Sequence, residues 1–169
     1  MNFSLTDTDI NGVKILNYNF FSDNRGKIWS TYIEKELTDL GYQPFTHDKF
    51  SVSKKNVLRG IHYDNKTFKL VTVIHGDIDQ VVVDMRKESK TYKKSLIFEL
   101  SEDSMQSILL PPMVGNAFRV KSDKAIYHYK LSYRGGYADI DQQYTLKWND
   151  PSININWMID NPLLSKRDK

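Results

Sequence analysis

The chain of 169 residues contains no cysteine. Disulfide stapling, a thiolate nucleophile and cysteine-ligated zinc are excluded together. No apolar run approaches the ~20 residues that a membrane-spanning helix needs, and the start, MNFSLTDTDI, has neither a basic lead nor an apolar block. Those two absences predict a cytoplasmic protein that does not enter a membrane. Charge of one sign is scarce as well: 24 Lys and Arg against 21 Asp and Glu leave +3, spread over isolated pairs such as Lys54-Lys55 and Lys93-Lys94. A nucleic-acid backbone needs a clustered basic face, so nucleic acid is not an expected partner, whereas one small anionic ligand suits this balance. There is no glycine-rich phosphate loop and no G-x-S-x-G elbow, so any phosphate must be held by individual side chains. Histidine is limited to His47, His62, His75 and His128, and Asp64 stands where a His-x-His metal pair would need its second imidazole. No metal site is expected.

The composition, 40% hydrophobic and 27% charged with many aromatics, is that of a folded globular protein, and the length fits one domain over 1–169. Runs rich in Val, Ile, Tyr and Phe recur at 13–18, 27–33, 57–63, 69–74, 78–85, 95–100, 106–110, 116–120 and 125–133. Turn-like segments such as SDNRG, HGD, RKESK and YRGG separate them. That spacing predicts an all-β sandwich, jelly roll or barrel. Only EKELTDLG (34–41) reads as a helix, with Gly41 as its stop. KLVTVI and QVVVDM are apolar on both faces, which predicts cover from neighbouring sheet on each side.

Polar residues inside such strands need a reason. In NVLRGIHYDN (56–65), regular alternation sends Arg59 and His62 to opposite faces, and a bulge at Gly60 would bring them to one. Lys69 either snorkels to the rim or projects inward. Tyr127 and Tyr129 share a face, as aromatic packing pairs do. Asp84 requires a partner, for which Arg86 is the ordinary structural answer.

Taken in order, DNRG (23–26), SKKNVLRGIHYD (53–64), KLVTVIHGDI (69–78), VVVDMRKESKTY (81–92), LPPMVGNAF (110–118), WNDP (148–151) and LSKRD (164–168) resemble the dTDP-4-dehydrorhamnose 3,5-epimerase family, the cupin-type sugar epimerases. The resemblance runs from about residue 10 to the C-terminus. It implies a double-stranded β-helix (cupin jelly roll) with short helical segments, no metal or other cofactor, a homodimer, and a nucleotide-diphospho-4-keto sugar in the barrel mouth. By the same resemblance His62 is the catalytic base, Asp168 the carboxylate that orients it, Lys69 the stabiliser of an enolate oxygen, and Tyr129 the acid on the opposite face. Arg25 and Arg59 match residues that hold the diphosphate and nucleoside. Should the chain end be loose, Asp84 is the alternative carboxylate for His62.

The residue types suit the chemistry. A hydrogen beside a C4 ketone becomes removable only when the enolate oxygen is stabilised, and inversion needs a proton delivered from the other face. The chain also departs from typical dTDP-specific members, which carry Glu at the position of Ser30, Gln at His47, Asn at Lys49 and His at Asn116. HDKF (47–50) with GNA (115–117) is similar to the branch acting on GDP-linked 4-keto heptoses in capsule or lipopolysaccharide pathways, so His47, Lys49 and Asn116 are expected to bind substrate. Two rival readings remain at this level: a 3,4-ketoisomerase of the same fold, and a noncatalytic jelly-roll sugar binder.

Overall fold

The structure, a computed structural model, describes residues 1–169. The strands in chain order are β1 (Phe3–Asp7), β2 (Lys14–Tyr18), β3 (Phe20–Asp23), β4 (Gly26–Trp29), β5 (His47–Lys54), β6 (Leu58–Tyr63), β7 (Phe68–His75) and β8 (Asp77–Asp84). They continue as β9 (Ser95–Ser101), β10 (Gln106–Leu110), β11 (Val114–Val120), β12 (Lys124–Ser132) and β13 (Tyr144–Thr145), with one short helix, α1 (Glu34–Thr38). A six-stranded sheet runs β1-β2-β10-β7-β12-β5 and faces a five-stranded sheet, β13-β6-β11-β8-β9, while β3 and β4 form a separate hairpin. Every strand pairing is antiparallel. This is the all-β jelly roll that the strand spacing and the family resemblance anticipate.

Alternation decides what lies between the sheets. Val71, Val73, Ile108, Leu110 and Tyr127 from one sheet meet Ile78, Val82, Leu100, Phe118 and Val120 from the other in one buried cluster. That cluster fills one end of the roll. Polar side chains replace it at the other end.

Both β7 and β8 are buried on their two faces, but the outer cover is not another stacked sheet: it comes from side chains of flanking strands, α1 and irregular chain. The outer face of β7 lies under Phe3, Tyr18, Leu37 of α1 and Phe45. Outside the five-stranded sheet, Val81 and Val83 of β8 pack against Ile153 and Trp157 of the C-terminal segment. An apolar outer face demands apolar cover, and irregular chain meets that demand provided its own polar groups are satisfied, as Trp157 Nε1 is by the Trp148 carbonyl at 2.7 Å.

Differences from the sequence pattern have physical causes. The strand expected over 27–33 stops at Trp29, where Ser30–Ile33 turn into α1. The helix ends at Thr38, and Gly41 follows with φ +89°, the left-handed conformation anticipated for its stop. The strand β5, HDKFSVSK, lacks an apolar run because its inner face carries His47, Lys49, Ser51 and Ser53 towards the polar end of the roll.

Candidate active site

Gly60 settles the parity of the central motif. Between β6 and β11, Asn116 pairs with His62 but Phe118 pairs with Arg59, so two residues of β6, Gly60 and Ile61, stand opposite one of β11, Ala117. This bulge brings Arg59 and His62 to one cavity. The position admits only glycine: φ is +123°, and a Cβ would stand 2.4 Å from Ala117 Cβ and 2.6 Å from the Asn116 carbonyl oxygen.

The carboxylate for His62 comes from the far end of the chain. Having covered the outside of β8, the C-terminal segment bonds to the start of β6, with Leu58 N donating to Leu163 O at 3.1 Å and Leu163 N to Asn56 O at 2.8 Å. Five residues later Asp168 is buried, and its Oδ1 lies 2.6 Å from His62 Nε2 while Oδ2 accepts from Ser165 Oγ at 2.8 Å. The penultimate residue is therefore pinned. Burial by itself would raise the Asp168 pKa, but the bonds from His62 and Ser165 and the nearby Arg167 charge prevail and hold it low. An ionised carboxylate only accepts, so Nε2 of His62 is the donor; in the neutral ring Nδ1, which has no partner within the chain, then carries the lone pair. Asp84 is not an alternative. Completely buried, it is taken up by Arg86 (2.7 and 2.9 Å), Ser89 (2.6 Å) and Thr91 (2.7 Å), which overcome the opposing effect of burial and lower its pKa to about 2.

The facing sheet supplies a cation and a phenol. Lys69 on β7 projects inward, is 6% exposed, and donates from Nζ to the His62 carbonyl at 3.2 Å. Burial drags its pKa down to about 8, against the pull of Asp64, whose Oδ2 lies 4.0 Å away. Asp64 is itself held by the backbone N–H groups of Lys66 and Thr67. Two strand positions from Lys69 across the β7–β12 ladder, half-buried Tyr129 lines the same cavity, and burial lifts its phenol to about 12 although the Arg59 charge and the Ser51 hydroxyl oppose this. Its neighbour Tyr127 is a core residue, stacked on Phe118 with centroids 4.3 Å apart.

His62, Asp168, Lys69, Tyr129, Arg59, Lys49 and Asn116 thus share one cavity of about 440 Å³. Two expected residues do not line it. His47 stands behind the rim, its Nδ1 3.1 Å from Tyr133 Oη and its ring 4.8 Å from that of the lining residue Tyr137. Arg25 sits on the exposed β3–β4 hairpin, its Nη2 2.6 Å from Asp23 Oδ2. The pattern of the sequence also left residues unnoticed. Arg167 lines the cavity and is held by Thr145 Oγ1 at 2.7 Å. Gln80 lies just behind Asn116, and its signal was present, since it interrupts the doubly apolar run of β8 as Asp84 does. No group of three His, Asp or Glu side chains converges anywhere in the molecule, and no helix is long and apolar enough to cross a membrane.

A base with its carboxylate on one wall and a phenol with an ammonium on the other can take a proton from one face of a bound carbon acid and return one to the opposite face. Known proteins are similar to this chain in sequence and fold. The family profile for dTDP-4-dehydrorhamnose 3,5-epimerase matches residues 7–169. The dTDP-4-dehydrorhamnose 3,5-epimerase of Shigella flexneri is 34% identical over 166 residues, 95% of this chain and 90% of that protein. Its namesake from Methanothermobacter thermautotrophicus is 31% identical, covering 99% and 92%. Among solved structures, the 3,5-epimerase of Legionella pneumophila in complex with dTDP-4-keto-L-rhamnose superposes with a TM-score of 0.90 at 29% identity, covering 98% of this chain and 89% of the other. A 4-keto-6-deoxy sugar epimerase from the novobiocin cluster of Streptomyces spheroides gives 0.90 at 30%, covering 99% and 85%. The chain belongs to the dTDP-4-dehydrorhamnose 3,5-epimerase family and is an isomerase.

Proposed function

We propose that the chain inverts C3, with C5 as the second candidate centre, of a nucleotide-diphospho-4-keto sugar. The reading is carried by one observation: His62 with Asp168, and Tyr129 with Lys69, enter a single cavity from facing sheets. Nδ1 of His62 takes the proton beside the ketone, and the electron pair of the broken C–H bond moves into the carbonyl to give an enolate. Lys69 and the amide of Asn116 stand as donors to that oxygen. As the carbonyl re-forms, Tyr129 gives its proton to the other face of the carbon; the phenolate is then reprotonated from solvent and the His62 imidazolium returns its proton to solvent. A phenol at about 12 keeps its proton at neutral pH until the enolate needs it.

The handle of the substrate is a nucleoside diphosphate, for which Arg59, Lys49 and Arg167 provide cations around the cavity. Arg25 reaches such a ligand only from a second copy of the chain. The exposed Phe20, Phe21 and Ile28 of its hairpin, with Phe50 and Val52 on the outer face of β5, give that copy an apolar seat. A homodimer is therefore part of the proposal. The relatives' names point to a dTDP-4-keto-6-deoxy sugar as the substrate class; the cavity residue Lys49, which differs from the Asn of dTDP-specific members, and the HDKF and GNA resemblance keep a GDP-linked 4-keto heptose as the second candidate. In that reading the enzyme works in the cytoplasm and supplies sugar for capsule or lipopolysaccharide.

The test is incubation of dTDP- and GDP-linked 4-keto sugars with the enzyme in heavy water, followed by NMR. Deuterium at C3 or C5 with the carbonyl still at C4 is expected, and His62→Ala should lower that exchange by about 10³-fold, in the range of a lost general base. A carbonyl moved to C3 would instead identify a ketoisomerase. No label from any substrate would reject the reading.

A further inference from the structure

Behind the cavity wall lies a chain of three buried polar groups that the proton transfers do not use. Gln80 on β8 is wholly buried, Tyr127 on β12 is 1% exposed, and Asn116 on β11 is 6% exposed with one side in the cavity. Tyr127 Oη donates to Gln80 Oε1 at 2.5 Å. Gln80 Nε2 is surrounded by acceptors: the carbonyls of Val81 and Ala117, each at 3.0 Å, and Asn116 Oδ1 at 2.7 Å. Tyr127 Oη also lies 3.2 Å from Asn116 Oδ1.

These contacts fix both amides. Two carbonyls around one end of Gln80 identify that end as the NH₂, and a phenol at the other end meets the oxygen. Asn116 then faces an NH₂ with its oxygen, and its own Nδ2, which makes no hydrogen bond within the chain, is left to the cavity. Turning Asn116 over would set NH₂ against NH₂ in a buried place, at the cost of an unsatisfied donor. We infer that Gln80 is a positioning residue, whose bond to Asn116 Oδ1 presents the Asn116 NH₂ to the cavity as a donor that no change of pH switches off. This rests on the proposed epimerase reading for its target, the developing enolate oxygen. It goes beyond that reading in assigning Gln80 a part in catalysis.

An activity-independent measurement comes first. In ¹⁵N-labelled protein the side-chain NH₂ protons of Gln80 should exchange slowly with solvent and those of Asn116 rapidly. The reverse order overturns the inference whatever the enzyme's substrate. The second measurement is solvent-deuterium exchange into a 4-keto nucleotide sugar by Gln80→Glu. An ionised carboxylate accepts from both neighbours, so Asn116 turns its NH₂ away from the cavity. The expected result is a loss of about 100-fold in kcat at pH 8, the scale of one lost oxyanion donor, with KM within about threefold. The titratable groups around the introduced carboxyl are Tyr127 on β12, Tyr129 edge-on to it, and His62 across β6 from Asn116, with the charged Lys69 and Arg59 farther along the same cavity. Once protonated, that carboxyl again donates to Asn116 Oδ1, so the ratio of variant to wild-type kcat should climb about tenfold or more between pH 8 and pH 6. A merely structural Gln80 gives a ratio that is flat with pH, and that result overturns the inference. Gln80→Met, which removes the donor without adding charge, covers the case of a misfolded Gln80→Glu: a folded Gln80→Met at the wild-type rate also overturns it. A wild-type enzyme that exchanges no proton tells against the epimerase reading, while the NH₂ measurement still judges Gln80.

Discussion

The turn after β8 and the C-terminal tail each bury an aspartate, and the two are built in opposite ways. Asp84 has all its side-chain partners within seven residues, and they saturate it with two guanidinium bonds and two hydroxyls. Asp168 has its main partner 106 residues away, on a histidine that lines the cavity and whose other nitrogen has no partner within the chain. A buried carboxylate closed upon by local partners stabilises a turn. One that is joined across the molecule to a titratable ring, and leaves that ring half its hydrogen-bonding capacity, is in the proposed reading the one that serves chemistry.

Substitutions should separate the two aspartates, and the largest effect belongs to the tail. Asp168→Asn can donate an amide proton to Nε2, which places the imidazole proton on Nδ1 and removes the base. Deuterium exchange should fall about 10³-fold, with little change in the urea midpoint. A wild-type rate would erase the contrast. Next comes the cation that serves the same site. Because burial brings Lys69 to about 8, its ammonium is lost as pH rises through that value, and kcat should decline there. Lys69→Arg should abolish this decline, and Lys69→Met should cost about 10²-fold at pH 7.

For the turn, the expected effect is on stability instead. Asp84→Ala leaves Arg86 without its partner and should cost about 3 kcal/mol in urea unfolding, while kcat per folded molecule stays within about twofold. The smallest effect concerns acid. Asp84 is lowered from 3.8 to about 2, so its ionised form is favoured in the fold. Its contribution is complete above the unfolded value and is lost as pH falls towards 2. The stability gap between wild type and Asp84→Ala should therefore narrow between about pH 4 and pH 2, as equilibrium denaturation at each pH would show.

Much of the architecture was legible in short runs of residues. The strands 69–74, 78–85, 106–110 and 125–133 announced themselves by apolar content, since each buries at least one face. The strand β5 did not, because its inward side chains line a cavity instead of a core. A similar blindness hid Arg167, whose place depends on where the tail lands. Gln80 and Asp84 carried the same signal, a polar residue in a buried run, yet only tertiary contacts separate a turn anchor from a residue behind a cavity wall.

By itself the sequence determined an all-β chain without thiol chemistry, and through ordered motifs it marked His62, Lys69, Tyr129 and Asp168 as a set. Period-two alternation and residue type are local properties, so they can be read along the chain. Only the folded structure decided that the Gly60 bulge turns Arg59 and His62 to one side, that the tail returns to Asp168's place beside the imidazole, and that Arg25 lies outside the cavity. Those outcomes depend on which distant segments pack together, and packing free energy is a property of the assembled molecule rather than of any stretch of it.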